Sequence, residues 1–537
     1  MPRQVSYSDS QQCKFLNKRR TLLFGGSSVI TSTVLYVFSM PPWGLFPLAL
    51  VALVPLMLFV LWAERRAALL AAYLFGLLLF VFLVSWLRFV TVVGWLALAL
   101  YLAVYPLLFA LLLRWLRRRL RWPVLLLAPL LWTSLEYTRS RLLTGFPWFL
   151  LGHSQYAYLP LMQMADLTGV YGITFVIVIL NGVVVDFWLS GLTHRRQFLY
   201  AGVSVLVLAA CVVYGLVRIA GYEEDHGPEV ALIQGNIPMN LKHSPDEDDA
   251  LRILSKHEEL SLKPEARGVD LLVWPETMMP VYLNIAWDPA AWGMKPSEYF
   301  ALCRQVVVRI ARETGAHLLI GAVTYEPPGK RYYNSVYYFD PQPVLLGRYD
   351  KIHIVPFGEY TPLKSILPFV DSYRTRLMGP GLSPGGSHHL FRLPWRGRTL
   401  SFAVNICYED AEAPIVREQS RLNPDFLVNV SNDAWFRDSV EMDQHLAIGR
   451  FRCVENRLPM ARAYNSGISA IVDPLGRVVA YLHKDGRHRE VEGVLRGRVP
   501  LARMWSLYRT IGDLFAYLCI FSSAVLCFTV ALRGRNT

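Results

Sequence analysis

Eight apolar runs set the limits on what this chain can fold into. Seven lie before residue 222, near 21–39, 45–63, 67–87, 89–113, 123–137, 168–190 and 198–220; the eighth lies near 511–532. Most approach the ~20 apolar residues that an α-helix needs to cross a bilayer. Backbone amides in hydrocarbon must bond within their own helix, so runs of this length predict spanning helices. About eight spans follow, seven before a long polar stretch and one after it. The 123–137 run is short and carries Glu136. A basic start, Lys18-Arg19-Arg20, ahead of the first run would also suit a signal peptide. No small-x-small cleavage site follows, so the first run is expected to stay as a helix.

Charge separates the chain in the same places. Lys and Arg exceed Asp and Glu by 54 to 41, a net +13. Residues 222–505 hold 33 basic and 35 acidic side chains, so the excess sits in the flanking hydrophobic regions. Short basic loops between spans are topology signals and argue against a nucleic-acid partner. If the spans alternate, the clusters at 14–20, Arg65-Arg66, 114–121, Arg195-Arg196, and Arg533 with Arg535 fall on one side. The other side carries only Arg88, Arg139 and Arg141. The clustered side is then cytoplasmic, both termini are inside, and the polar stretch lies outside, which is the periplasm of a two-membrane bacterium. The expected domains are 1–221, 222–505 and 506–537.

One outer loop is unusual. Residues 138–165 are apolar and aromatic but broken by Gly145, Pro147 and Gly152. This suits a re-entrant or interfacial lip for acylated substrates, with Trp148 at home at that depth, or else part of a span. Seven scattered cysteines without a CxxC pair make neither a disulfide framework nor a zinc site, and no metal or cofactor motif appears.

From residue 228 the pattern changes to short β-rich runs and longer amphipathic ones. Strands are expected at 230–234, 270–274, 317–323, 334–339, 399–406, 425–430, 468–472, 478–482 and 490–497. Helices are expected at about 246–264, 297–314, 410–419 and 440–457. Strands alternating with helices predict an α/β domain, with antiparallel hairpins at 317–347 and 468–497.

Three polar groups interrupt strand ends. Cys407 ends the apolar run 400–406 and is followed by Tyr408, Glu409 and Asp410. Glu276 follows Trp274-Pro275, and Lys351 opens an apolar stretch that ends at Pro356 and Gly358. Each alone has a plain structural explanation: a buried core thiol, a surface or capping carboxylate, a solvated lysine. Together they offer the parts of covalent catalysis. A thiolate needs a base or a nearby cation, which Glu276 and Lys351 can be. A tetrahedral oxyanion needs fixed positive charge or N–H donors, from Lys351 or the backbone of Tyr408.

These pieces resemble the nitrilase, or carbon–nitrogen hydrolase, superfamily: WPE at 274–276, DKIHIVPFGEY at 350–360, ICYE at 406–409, SNDAWF at 431–436 and VENRLPMARAYNSGISA at 454–470. With apolar spans on both sides, TGFPW at 144–148 and QGNIP at 234–238, nearly the whole chain resembles the apolipoprotein N-acyltransferase family. The resemblance implies an αββα sandwich facing the periplasm, tethered by an α-helical transmembrane bundle in the cell inner membrane. It implies a Glu276–Lys351–Cys407 triad, with Glu276 as base and Lys351 as oxyanion stabiliser. Glu359, Tyr408 and Glu409 match supporting residues. It further implies transfer of an acyl chain from a phospholipid, the sn-1 chain of phosphatidylethanolamine, through a Cys407 thioester. The acceptor would be the α-amino group of a diacylated apolipoprotein's N-terminal cysteine. One departure stands out: Lys242-His243 occupies the place soon after QGNIP where a tryptophan is expected. A membrane-tethered amidase would use the same triad with water as acceptor. A transporter or receptor would leave Cys407 idle, and intramembrane charge is scarce (Glu136, Asp186).

Overall fold

The computed structural model describes residues 7–533 apart from 191–194, 245, 296, 363, 367 and 503. It divides into two compact units: residues 1–218 with 513–537, and residues 219–512. Arg535 of the last basic cluster lies outside the described residues.

The first unit is helical. Among the described residues, six helices are long and apolar enough to cross a membrane: Arg19–Ser39, Arg65–Leu83, Val92–Leu120, Val170–Ser190, Arg195–Ala220 and Leu514–Arg533. The expected runs at 45–63 and 123–137 are helical but shorter, at Phe46–Trp62 and Val124–Arg139. Buried side chains serve the backbone where these helices start or break. Asp186 accepts from the N–H groups of Val124 and Leu125, both at 2.9 Å. Those amides open a helix and have no partner within it. Asn181 accepts from Leu53 N–H (2.8 Å) and donates to Ala49 O (3.0 Å), bridging the kink inside Phe46–Trp62. The broken stretch 138–165 forms only short turns of helix, and Trp148–Leu151 are buried. Arg139 donates to the carbonyl of Trp148 (2.7 Å) and Glu136 accepts from Leu151 N–H (2.7 Å). Irregular backbone survives in an apolar setting only when protein groups satisfy it in this way.

The second unit is a four-layer α/β sandwich. Chain order gives β1 (Asp225–Gln234), β2 (Leu271–Val273), β3 (Met279–Tyr282), β4 (His317–Glu326), β5 (Arg331–Phe339) and β6 (Leu345–Asp350). β7 (Leu390–Trp395), β8 (Arg398–Ile406), β9 (Phe426–Ser431), β10 (Met460–Tyr464), β11 (Ala470–Val472) and β12 (Val478–Tyr481) follow, then β13 (Gly493–Leu501). One sheet runs β13-β1-β2-β4-β5-β6 with β3 against β4; the other runs β12-β11-β10-β9-β8-β7. The central pairs β1–β2, β2–β4, β8–β9 and β9–β10 are parallel.

Alternation along the strands builds the layers. On β1, Val230 and Leu232 face the other sheet and join Phe402, Val404, Val428 and Ala461. Ala231 and Ile233 face the other way, onto Ile253 and Leu254 of the helix Glu247–Ser261 and Val306 and Ile310 of Glu298–Thr314. The outer face of the second sheet, with Ala403, Leu427 and Met460, packs on Val416 and Cys453 of the helices Ala413–Arg421 and Glu441–Asn456. Strands covered on both faces read as continuous apolar runs, as β2 does. The sequence expectations omit β3, β6, β7 and β10. β10 reads MARAY, and its Arg462 hides a strand that is buried throughout. Cys303 and Cys453 are free and lie in different cores.

Candidate active site

In open parallel sheets, functional groups collect where strands end. Here the turns after β2, β6, β8, β9 and β10 carry the site. β2 stops at Pro275, and the chain turns through Thr277 at φ +51°. The turn lies so close to β4 that a Cβ on Gly321 would stand 2.1 Å from Pro275 O, so this strand position must be glycine. The turn buries Glu276 at 7% exposure. Its Oε1 accepts from Asn334 Nδ2 (2.6 Å) and its Oε2 from the N–H of Asn432 (2.9 Å), which ties the end of β2 to the end of β9 in the other sheet.

Lys351 follows β6 and is 1% exposed. Its Nζ stands 2.9 Å from Glu359 Oε1 and 3.7 Å from Glu276 Oε1. Burial would lower its pKa; Glu359, the Cys407 sulfur and Glu276 outweigh that and hold it above the ordinary lysine value, so it is a fixed ammonium. Glu359 is aimed by Val355 N–H (2.6 Å) and by the Asn334 amide (3.2 Å). The glycine-rich stretch 379–386 is fastened to the same loops. Leu382 N–H donates to Glu359 O (2.8 Å) and Gly385 N–H to Lys351 O (2.7 Å).

Cys407 takes φ +54° at the end of β8, a left-handed turn that a non-glycine residue adopts only under constraint. Asn429 Nδ2 donates to its carbonyl at 3.3 Å. Burial first, and then the Glu276 carboxylate, push the thiol well above its ordinary pKa; Lys351 opposes them. The resting group is therefore a thiol, and a base is needed to make it a nucleophile.

Glu409 has a different surrounding. It accepts from the N–H groups of Ile352 (2.7 Å), His353 (3.1 Å) and Ile406 (2.8 Å), and from Tyr349 Oη (3.0 Å). It thereby clamps the loop of Lys351 to the strand of Cys407. Burial raises its pKa to about 7 against those hydrogen bonds. Tyr408 stacks on His353, with ring centroids 5.6 Å apart.

The structure thus brings Glu276, Lys351, Cys407, Glu359 and Glu409 to one set of strand ends. Two groups there escaped the sequence reading. Asn334 bridges Glu276 and Glu359 through one amide. Lys242, named above only as part of a missing tryptophan, donates to Glu276 O (3.2 Å) and to Thr277 Oγ1. Burial lowers its pKa to about 8, with Glu276 and Cys407 opposing. His243 lies 5.1 Å from the Trp435 ring, so an aromatic contact persists at that place. The signal for Lys242 was its nearness to QGNIP, which is latched to the second sheet: Asn465 Oδ1 accepts from Ile237 N–H at 2.8 Å.

Residues 32–183 match the model of the apolipoprotein N-acyltransferase N-terminal domain, and 229–507 match carbon–nitrogen hydrolase. An apolipoprotein N-acyltransferase of Geobacter metallireducens is 36% identical over 94% of this chain and 95% of its own length. Proteins of the same name from Rhodopseudomonas palustris (32%, 75% of this chain, 72% of that one) and Pasteurella multocida (30%, 87% and 88%) are also similar. The chain belongs to the apolipoprotein N-acyltransferase family. It is accordingly an enzyme of the carbon–nitrogen hydrolase superfamily and, with its six long apolar helices, a multi-pass membrane protein. All the site residues named above lie inside the carbon–nitrogen hydrolase match. The match to the apolipoprotein N-acyltransferase N-terminal domain falls on the helical unit that precedes it.

Proposed function

We propose that this enzyme moves a fatty acyl chain from a phospholipid to the N-terminal amine of a diacylated apolipoprotein, by way of a thioester on Cys407. The observation that supports this best is the junction of Glu276, Lys351 and Glu359 at the strand ends beside Cys407. Glu276 takes the thiol proton and the thiolate attacks the ester carbonyl. Lys351, a fixed cation, stabilises the oxyanion. Collapse breaks the ester bond; the lysophospholipid alkoxide leaves with the proton from Glu276, and the acyl chain stays on sulfur. The acceptor's amine then attacks the thioester and gives its proton to Glu276. Collapse forms the amide and returns the sulfur to its thiol. Glu359 holds Lys351, and Glu409 holds the turn. The amine takes the place of water, and the helical unit keeps the enzyme in the bilayer where both acylated substrates reside. The domain on residues 222–505 faces the periplasm and the spans lie in the inner membrane; the one-sided clusters of Lys and Arg support this orientation.

The test is intact-mass analysis after incubation with phosphatidylethanolamine vesicles. The wild type is expected to gain the mass of one acyl chain, absent in Cys407→Ala, and to lose it on addition of a diacylated lipopeptide, which gains it. Release of free fatty acid with no acylated lipopeptide would overturn the transferase assignment.

A further inference from the structure

Behind Cys407 lies a buried ring of polar side chains that the acyl-transfer steps do not use. Val430 pairs with Ile406 in parallel register, so Ser431 stands beside Cys407. The Ser431 hydroxyl donates to Asp433 Oδ1 at 2.8 Å. Asp433 Oδ2 lies 3.4 Å from His445 Nδ1, and Asp410 Oδ1 lies 2.7 Å from His445 Nε2. Asp410 closes the ring, because it ends the turn that Cys407 begins. Arg462 donates to Asp410 and to Tyr464 Oη, and Glu441 Oε1 lies 3.7 Å from His445 Nδ1. None of these side chains is more than 2% exposed.

A carboxylate at each ring nitrogen makes His445 a double donor, an imidazolium. Burial would oppose the charge, but Asp410 and Asp433 outweigh it. Glu441 is pushed up as well, by burial and then by Asp433, which favours its neutral form. Two cations, His445 and Arg462, then balance two anions, Asp410 and Asp433. With both ring nitrogens already donating, Asp433, Glu441 and His445 form an ionic network and not a metal site.

We propose that His445 is a positioning residue: a fixed cation that pins the two ends of the Cys407 turn and cancels the negative charge behind the sulfur. This rests on Cys407 being the nucleophile. Cys407 also faces Glu276, Lys351 and Lys242 from the first sheet and Tyr464 from β10, and none of these changes in the test. Removing the imidazolium leaves Asp410 and Asp433 with Arg462 as their one remaining cation, a net negative charge that disfavours the thiolate. Removing the Asp433 charge favours it.

The experiment is alkylation of the full-length, detergent-solubilised protein by iodoacetamide, with Cys407 modification followed by peptide mass analysis across pH. No lipid is present, so the result is independent of acyl transfer. His445→Gln is expected to slow Cys407 alkylation about three- to tenfold at a fixed pH, as a pKa rise of up to about one unit requires. Asp433→Asn is expected to speed it by a similar factor, and the double variant to return near the wild type. A structural role alone would move both single variants the same way or neither, and either result overturns the proposal. If His445→Gln does not fold, the direction of the Asp433→Asn shift decides.

Discussion

Both units bury glutamates, and they use them differently. In the helical unit Glu136 accepts from Trp132 Nε1 (2.9 Å), Leu151 N–H (2.7 Å) and Thr174 Oγ1 (2.8 Å). Its lone pairs are spent on neutral donors that would otherwise be orphaned, so it acts as a bracket for broken backbone. In the α/β unit Glu276 keeps two neutral donors but also has the Lys351 ammonium at 3.7 Å, and it acts electrostatically on Cys407. A carboxylate filled by fixed donors holds a chain in place. One set beside a cation and a thiol can exchange a proton. Glu409 belongs to the first kind although it lies in the second unit, because three backbone amides occupy it.

Substitution at each position should separate the two uses. The largest effect is expected for Glu276→Gln. The amide cannot take the thiol proton, so single-turnover acyl-enzyme formation should fall by about 10³-fold or more. Melting should fall by only about 1–2 kcal/mol, for one misplaced hydrogen bond. A variant that still forms acyl-enzyme at the wild-type rate would remove Glu276 from the mechanism. Lys351→Met should lose about 10²–10³-fold in the same measurement. It also leaves Glu276 and Glu359 without their shared cation, so melting should drop by about 3 kcal/mol. Glu136→Leu should invert the pattern. Three donors lose their acceptor, at a total of about 3 kcal/mol or more, while turnover per folded molecule stays at the wild-type value. A large loss of turnover with unchanged melting would place Glu136 in the chemistry and erase the contrast.

The sequence made the chemistry more legible than the packing. Cys407 and Glu276 follow apolar runs and Lys351 opens one, and a polar residue at the edge of an apolar run is visible without coordinates. Most strands and the four helices were legible because their periodicity is regular. β10 was not, since Arg462 is compensated by Asp410 from a turn 52 residues earlier, and no local pattern carries that partner. Asn334 and His445 were missed for the same reason: each matters through residues distant in sequence. In the first unit the run at 45–63 is divided into Phe46–Leu50 and Val54–Trp62, a break that hydropathy does not record.

The smallest effect sharpens the comparison within the catalytic unit. Burial lifts Glu409 from an ordinary 4.5 to about 7. The folded protein therefore holds this proton more tightly than the unfolded chain does. The stability it lends is complete below about pH 4.5 and is lost as the pH rises to about 7. The shift corresponds to a loss on the order of 2–3 kcal/mol across that window. Denaturant unfolding of the detergent-solubilised protein between these pH values should show a decline attributable to Glu409. Glu409→Gln should lower stability at every pH, because its nitrogen cannot accept from an amide, but it should flatten the slope. If the variant keeps the wild-type slope, Glu409 is ionised throughout and its three amide donors outweigh burial. It would still clamp the Cys407 turn through those amides, but as a carboxylate across the whole window and with no pH-dependent share in stability.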